Sequence, residues 1–196
     1  MERVLLSRHA ESELSAIGIV NGDPSRRCGL TRAGEEQARE LGRSLSQEPV
    51  DLAVTSDFER CRLTARIALR GRRPSWLELP DLGDIRVGEL EGIRLAELRA
   101  WMHAHGSLEA PPAGENRVHV ATRLARGLRS ILERNERVAL VVSHGLPVRY
   151  ALESVAGRHP PRVVEPIPYA TAFPLSAAEL ELAAARLEAW AAAPDW

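Results

Sequence analysis

The chain contains no lysine: all 26 of its basic residues are arginine, set against 27 acidic ones for a net charge of -1. That balance argues against a dedicated nucleic-acid binder, whose footprint is a basic field. It also makes every side-chain cation other than histidine a guanidinium, the group suited to bidentate contact with phosphate. Cysteine is scarce. Cys28 and Cys61 form neither a disulfide framework nor a zinc pattern, and read as buried or idle thiols of a reducing cytosol. Long apolar runs are missing too. The first, Val4-Leu5-Leu6, is broken at Arg8, too short for a signal peptide or a membrane span, and those elsewhere are also short. The expected location is cytoplasmic, with no membrane and no nucleic-acid partner. Neither repeats nor a linker divides the chain. Its 196 residues, 44% apolar and 27% charged, are expected to fold as one domain with a substantial core.

What is present alternates. Val4–Leu6 reads as a buried strand, followed through residues 10–30 by a loop dense in Gly, Asn and Pro. Thr31 is placed to cap a helix burying Ala38, Leu41 and Leu45. Val50–Val54 is a second strand, and Ser56 with Glu59 matches a capping box opening a helix that carries Arg60, Thr64 and Ile67. Trp76–Leu79 is a short third strand. Residues 80–116 are less regular, with one helix through Trp101 and His105, and read as a small lid. Residues 117–135 form a long amphipathic helix with Val120, Leu124, Leu128, Ile131 and Leu132 inward. Val138–Val142 is unbroken apolar, the mark of a central strand covered on both faces. Pro147 fits the first turn of the next helix. Extended segments are expected near 162–166 and 169–175, and a terminal helix from Ser176. The fold class that follows is α/β, with helices on both faces of a sheet.

In such sheets ligands bind beyond the carboxyl ends of the strands. The first strand delivers Arg8 and His9 there, the second Ser56 and then Arg60, and the central one Ser143 and His144. Each residue alone would be ordinary: a strand-end histidine usually caps or faces solvent, and an arginine early in a helix usually lies on the surface. Arriving together, two guanidinium forks and two imidazoles suit a tetrahedral dianion. Helix N-termini aim free amides at the same place. A histidine with an ordinary pKa of roughly 6.5 is available near neutrality as a neutral nucleophile. Ala10 and Gly145, each directly after a histidine, leave room for substrate.

These residues carry a resemblance. Arg8-His9-Ala10-Glu11-Ser12 resembles the Arg-His-Gly signature of the histidine phosphatase, or phosphoglycerate mutase-like, superfamily. Similarity continues in order through Leu30–Ala38, Thr55–Ala65, Asp84–Gly92, Gly114-Glu115-Asn116 and Ser143-His144-Gly145. The resemblance implies a three-layer α/β/α sandwich with a mostly parallel central sheet. Carried over, His9 becomes the nucleophile that forms a phosphohistidine, while Arg8, Arg60 and His144 hold the phosphoryl oxygens. Asp84 stands where the family usually has glutamate and is assigned as the acid that protonates the leaving oxygen and then activates water. Glu89 and Glu91 are its rivals, read as surface or loop-fixing carboxylates. Ser15 stands where the family often has an asparagine that contacts phosphate or substrate, and Asn21 is a further candidate substrate contact. Ala10 replaces the usual glycine, which is tolerable at negative φ.

The short stretch between Asp84 and Gly114 leaves space for only a small lid, which favours hydrolysis over the water-excluding transfer of a mutase. The expected activity is that of a metal-independent phosphomonoester phosphatase acting on a small phosphorylated metabolite, with no cofactor. The alternatives are a mutase-like phosphoryl transferase and a phosphate-ester-binding regulatory module. A metal-dependent hydrolase is disfavoured, because His103 and His105 on one helix face different ways. The alanine-rich tail could cover the core or form a homodimer contact, and the sequence leaves that open.

Overall fold

The computed structural model describes residues 1–196. Five strands form one sheet in the order β3-β2-β4-β1-β5. They are β1 (Arg3–Arg8), β2 (Leu52–Thr55), β3 (Ser75–Glu78), β4 (Val138–Ser143) and β5 (Ala172–Ser176). The apolar run in β4 is buried at every position and pairs in parallel with β1 and β2, as a strand covered on both faces should. β2 and β3 are also parallel, whereas β5 runs antiparallel to β1 along the edge. Pro174 lies within β5, where an edge strand tolerates the missing amide donor. The sheet is therefore mostly parallel, as expected, and β5 supplies its one reversed strand.

Alternating residues of the strands feed two cores. On one face Leu5, Ala53, Leu140 and Val142 pack with Ala38 and Leu41 of α2 (Arg32–Ser44) and with Cys61 and Ala65 of α3 (Glu59–Ala68). On the other, Val4, Leu6, Val54 and Val141 meet Leu124 and Leu128 of α5 (Arg117–Leu132), Tyr150 of α6 (Gly145–Val155) and Leu187 of α7 (Ala177–Ala192). Each fully buried leucine contributes about 1.5–3 kcal/mol of transfer free energy. α1 (Glu13–Ala16) is a single turn, and α4 (Leu95–Ala104) joins the second core through Leu98. Thr31 caps α2 by accepting from the Gly34 amide, as its position predicts. A Cβ on Gly34 would run into the Glu11 carbonyl, so this glycine lets α2 press against the loop that follows β1.

Three local expectations are corrected. Ser56 and Glu59 do not form a capping box: Phe58 is the N-cap of α3, the Ser56 hydroxyl turns to His144, and the Glu59 carboxylate accepts from the Cys28 amide. Residues 10–30, read as loop throughout, contain the single turn of α1 with Ser12 as its cap. The segment at 162–166 is not a strand. Its β-branched pair Val163-Val164 has the composition for one, but the carbonyls here are taken by arginine side chains. Arg117 donates to the Pro161 and Arg162 carbonyls, Arg149 to those of Glu165 and Pro166, and Arg8 to that of Ile167. Backbone groups satisfied in this way need no sheet partner. The segment runs as a strap over the carboxyl ends of the strands.

Candidate active site

His9 follows directly on β1, and its amide donates to the Ser143 carbonyl at 2.9 Å, which ties the two histidine-bearing strand ends together. Its side chain is 3% exposed. Nδ1 lies 2.7 Å from the Ala10 carbonyl, which can only accept, so the ring proton sits on Nδ1. Nε2 is left with a lone pair, and it accepts from Arg60 Nε at 3.2 Å. Burial, then the charges of Arg60 and Arg8, hold the imidazole well below its ordinary pKa and therefore neutral. Ala10 keeps a negative φ, and its amide donates to Thr64 Oγ1 at 2.9 Å, so the residue in the glycine position is accommodated without strain.

Arg60, 4% exposed, is the hub. Beyond His9, its Nη1 donates to Asn21 Oδ1 at 2.6 Å and its Nη2 to the Asn21 carbonyl at 3.1 Å and to His144 Nδ1 at 3.0 Å. Asp84 Oδ2 lies 3.5 Å from Arg60 Nη2 and 3.6 Å from His144 Nδ1. Burial raises the Asp84 carboxyl above its usual range, opposed mainly by Arg60, and this favours the protonated form that an acid must have. The two imidazoles meet edge to face at 5.2 Å between centroids. His144 is fully buried, and burial followed by the Arg60 and His9 contributions lowers its pKa as well.

Arg8 completes the group. Its Nη1 is anchored on the Ile167 carbonyl, and its guanidinium lies 3.8 Å over the ring of Tyr169. Its Nε is buried and has no hydrogen-bond partner. A buried N–H without an acceptor costs free energy, and Arg8 lines a cavity of about 370 Å³ together with His9, Arg60, Asp84 and Gly145. The N-terminus of α6 begins at Gly145 and points its free amides at the same region. Guanidinium groups and helix amides thus gather beside an unprotonated imidazole nitrogen, an arrangement whose charge and donors suit a phosphoryl group.

Of the residues read from the sequence, Arg8, His9, Arg60, Asp84 and Gly145 line the cavity, and His144 backs it through Arg60 and Asp84. Ser15 and Asn21 also line the cavity, and both already have partners within the protein. Ser15 lines the cavity, but its hydroxyl is engaged with Ser12, accepting from the amide and donating to the carbonyl. Asn21, read as a substrate contact, accepts from Arg60 and donates to neighbouring backbone, and so holds the arginine in place at the cavity. Glu91 accepts from the Gly22 amide at 2.7 Å and fixes that loop, whereas Glu89 is exposed. His103 lines the far end of the cavity, while His105 stacks on Trp101 at 4.0 Å, so the pair does not converge. Periodicity gave no signal for Tyr169 or Arg123. The first flanks Arg8. The second donates to the carbonyls of Asp81, Gly83 and Asp84, is paired with Glu115, and so holds the acid loop.

Residues 4–190 match the model of the histidine phosphatase superfamily, branch 1. The chain is 32% identical over 154 residues to the metal-independent phosphoserine phosphatase of Arabidopsis thaliana, covering 72% of this chain and 63% of that protein. It is 29% identical over 165 residues to a Serratia proteamaculans protein named probable phosphoglycerate mutase GpmB, covering 80% of this chain and 76% of that one. Among solved structures it is similar to Bacillus stearothermophilus YhfR, with a TM-score of 0.77 at 26% identity over 88% of this chain and 89% of that one.

Proposed function

The chain belongs to the histidine phosphatase superfamily, and from that membership we propose a phosphomonoester phosphatase that works through a phosphohistidine on His9. The observation that carries this reading is the state of His9. Its proton is fixed on Nδ1 by Ala10, and its unprotonated Nε2 accepts from Arg60 in a cavity that Arg8 also lines. In the first transfer the Nε2–P bond forms as the bond from phosphorus to the leaving oxygen breaks. Arg8, Arg60 and the α6 amides bear the charge that develops on the equatorial oxygens. Asp84, protonated, passes its proton to the leaving oxygen. In the second transfer water attacks phosphorus, Asp84 as carboxylate takes the water proton, and the P–N bond breaks to release phosphate and restore His9.

Hydrolysis is favoured over transfer to a second alcohol because Asp84, though packed against Arg60, remains 29% exposed, so water reaches the group that must activate it. The substrate class is a small phosphorylated metabolite, in keeping with the size of the cavity. Leu98 and Met102 of α4 and Val164 and Ile167 of the strap form apolar wall beyond the phosphoryl pocket, which suits a leaving group with apolar surface.

The test is phosphate release from phenyl phosphate with a chelator present, comparing wild type with His9→Ala. Release that survives chelation and is lost in the variant supports the mechanism, as does an acid-labile phosphoenzyme trapped from the wild type alone. Release by the variant, or its loss on chelation, overturns it. Binding of phosphate esters with no release would instead mark a regulatory module.

A further inference from the structure

Ser56 is a buried hydroxyl that the transfers above do not use. It lies on the far side of His144 from the cavity. On one edge of that ring, Nδ1 faces Arg60 Nη2 at 3.0 Å and Asp84 Oδ2 at 3.6 Å. On the other, Nε2 faces Ser56 Oγ at 2.8 Å and Cys61 Sγ at 3.4 Å. A guanidinium can only donate, so Nδ1 must accept, and a neutral ring then carries its single proton on Nε2. That proton points at Ser56. The neighbouring thiol is the weaker acceptor: it is directed at the Ser143 carbonyl at 3.5 Å, and burial pushes it up to about 12, so it is not a thiolate. Ser56, His144 and Asp84 have the outline of a hydrolase triad, but the serine is fully buried and lies behind the imidazole, which rules it out as a nucleophile.

We propose that Ser56 is a positioning residue: by accepting from Nε2–H it keeps the permanent proton of His144 there, and leaves Nδ1 as the atom that turns from acceptor to donor when a phosphate ester binds. This rests on the reading of the His9 cavity as a phosphoryl pocket. The protons balance simply. A phosphate monoester has its second pKa near about 6 and can arrive as the monoanion. Its O–H bond breaks, an N–H bond forms at Nδ1, and an imidazolium then faces a dianion, while the Nε2–H···Oγ bond is unchanged. Arg60 Nη2, released from Nδ1, turns to a phosphoryl oxygen. The charged and titratable groups around the ring are Arg60 and Cys61 from α3, Asp84 from the acid loop, His9 from the end of β1, and Arg8 and Arg123 at longer range. The ring of Phe58 closes the remaining side at 4.6 Å. The arginines oppose a charge on His144 until the dianion arrives to offset them, so the second proton is taken up only with ligand.

The experiment reads the ring nitrogens directly. In protein labelled with 15N at histidine, with His144 assigned by comparison with His144→Gln, the sample without phosphate should show a protonated Nε2 and a lone pair on Nδ1. Adding inorganic phosphate should protonate Nδ1 and leave Nε2 protonated. A proton on Nδ1 before phosphate is added, or its loss from Nε2 afterwards, overturns the proposal. Kinetics give a second readout. Ser56→Ala should lower kcat about 10- to 100-fold, about what leaving a buried N–H without its acceptor costs. It should also move the alkaline limb of the pH profile to lower pH, and Ser56→Thr should recover most of both. Equal loss at every pH would mean that Ser56 only fills space. If Ser56→Ala does not fold, the wild-type nitrogen measurement still decides. Failure of the hydrolase reading is distinguishable from failure here: the expected nitrogen states without turnover of phenyl phosphate would sink hydrolysis and leave Ser56 in its place.

Discussion

Arg60 Nε lies 3.2 Å from His9 Nε2, so the guanidinium proposed to hold the phosphoryl group is hydrogen-bonded to the lone pair proposed to attack it. The contact fixes the imidazole while keeping its proton on the other nitrogen. It also means that arriving phosphate replaces one acceptor of Arg60 with a better one, since charged acceptors make the stronger bonds. Arg60→Lys keeps a charge but cannot reach His9, Asn21 and phosphate together. It should lose about 10²–10³ in kcat, the range for removing a preorganised donor to a developing anion. Steady-state rates on phenyl phosphate check this, and a variant within threefold of wild type would remove Arg60 from the transition state.

Asp84 gives a prediction with two opposed signs. Its carboxyl is raised by burial, so the ionised form is disfavoured in the folded protein relative to the unfolded chain. The folded state therefore binds more protons than the unfolded one between the two pKa values, and the ionised carboxylate costs stability above them. Asp84→Asn should raise the thermal midpoint at pH 8 while lowering kcat on an alkyl phosphate by about 10²–10⁴, the usual worth of a general acid. The loss should be far smaller with p-nitrophenyl phosphate, whose leaving group needs no proton. Equal losses on both esters would give the acid role to another residue.

His9 and His144 act on stability in the other direction. Both are held neutral with pKa values well below the ordinary one. Below about pH 6.5 the unfolded chain takes up protons at both positions and the folded chain does not. Stability should therefore fall as pH drops from 6.5 toward the folded-state values, with a slope of about 1.4 kcal/mol per pH unit for each histidine. Urea denaturation at pH 7.0, 6.0 and 5.5 measures it, and His144→Gln should remove a share of the slope. A flat profile over that range would mean that the two rings protonate freely in the folded protein.

Much of the site was legible because the sheet converts sequence order into position. An apolar strand that ends abruptly in polar residues places them beyond the carboxyl edge, and three such ends, two of them with a histidine, predicted the meeting of Arg8, His9, Arg60 and His144. What was not legible depends on who satisfies whom. Ser56 has the spacing of a helix cap, yet its hydroxyl pairs with a histidine 88 residues further along the chain. Asn21 looks like a free polar residue until Arg60 takes its oxygen. Val163-Val164 have strand composition, but no sheet edge reaches them and guanidinium groups satisfy the backbone around them. Periodicity reports burial on an element's own face, and it carries no record of long-range side-chain donors.

The strap makes that last point testable. Arg149 donates from Nε and Nη2 to the carbonyls of Glu165 and Pro166, holding the segment that forms one wall of the cavity and carries Tyr169 over Arg8. Arg149→Ala removes no residue of the phosphoryl pocket and loosens this wall. KM for an aryl phosphate should rise several-fold while kcat changes little, and proteolysis within residues 160–170 should become faster. A change in kcat with KM untouched would mean that the strap positions chemical groups and does not form the binding wall.

Gly145 separates room for the substrate from stability of the fold. A Cβ there would lie 3.6 Å from Arg8 Nε and 3.9 Å from its Cδ, ordinary contacts that the protein tolerates without adjustment. Its φ is negative, and replacing glycine by alanine inside a helix gains up to about 1 kcal/mol. On folding grounds alone Gly145→Ala should be neutral or stabilising. The added methyl, however, stands against the unpartnered Arg8 N–H and at the mouth of the α6 amides, where a phosphoryl oxygen would sit. The variant should melt at or above the wild-type temperature, yet bind inorganic phosphate at least tenfold more weakly, as measured by competitive inhibition of aryl phosphate hydrolysis. Unchanged phosphate affinity would place the anion elsewhere in the cavity and detach the Arg8 Nε from its recognition.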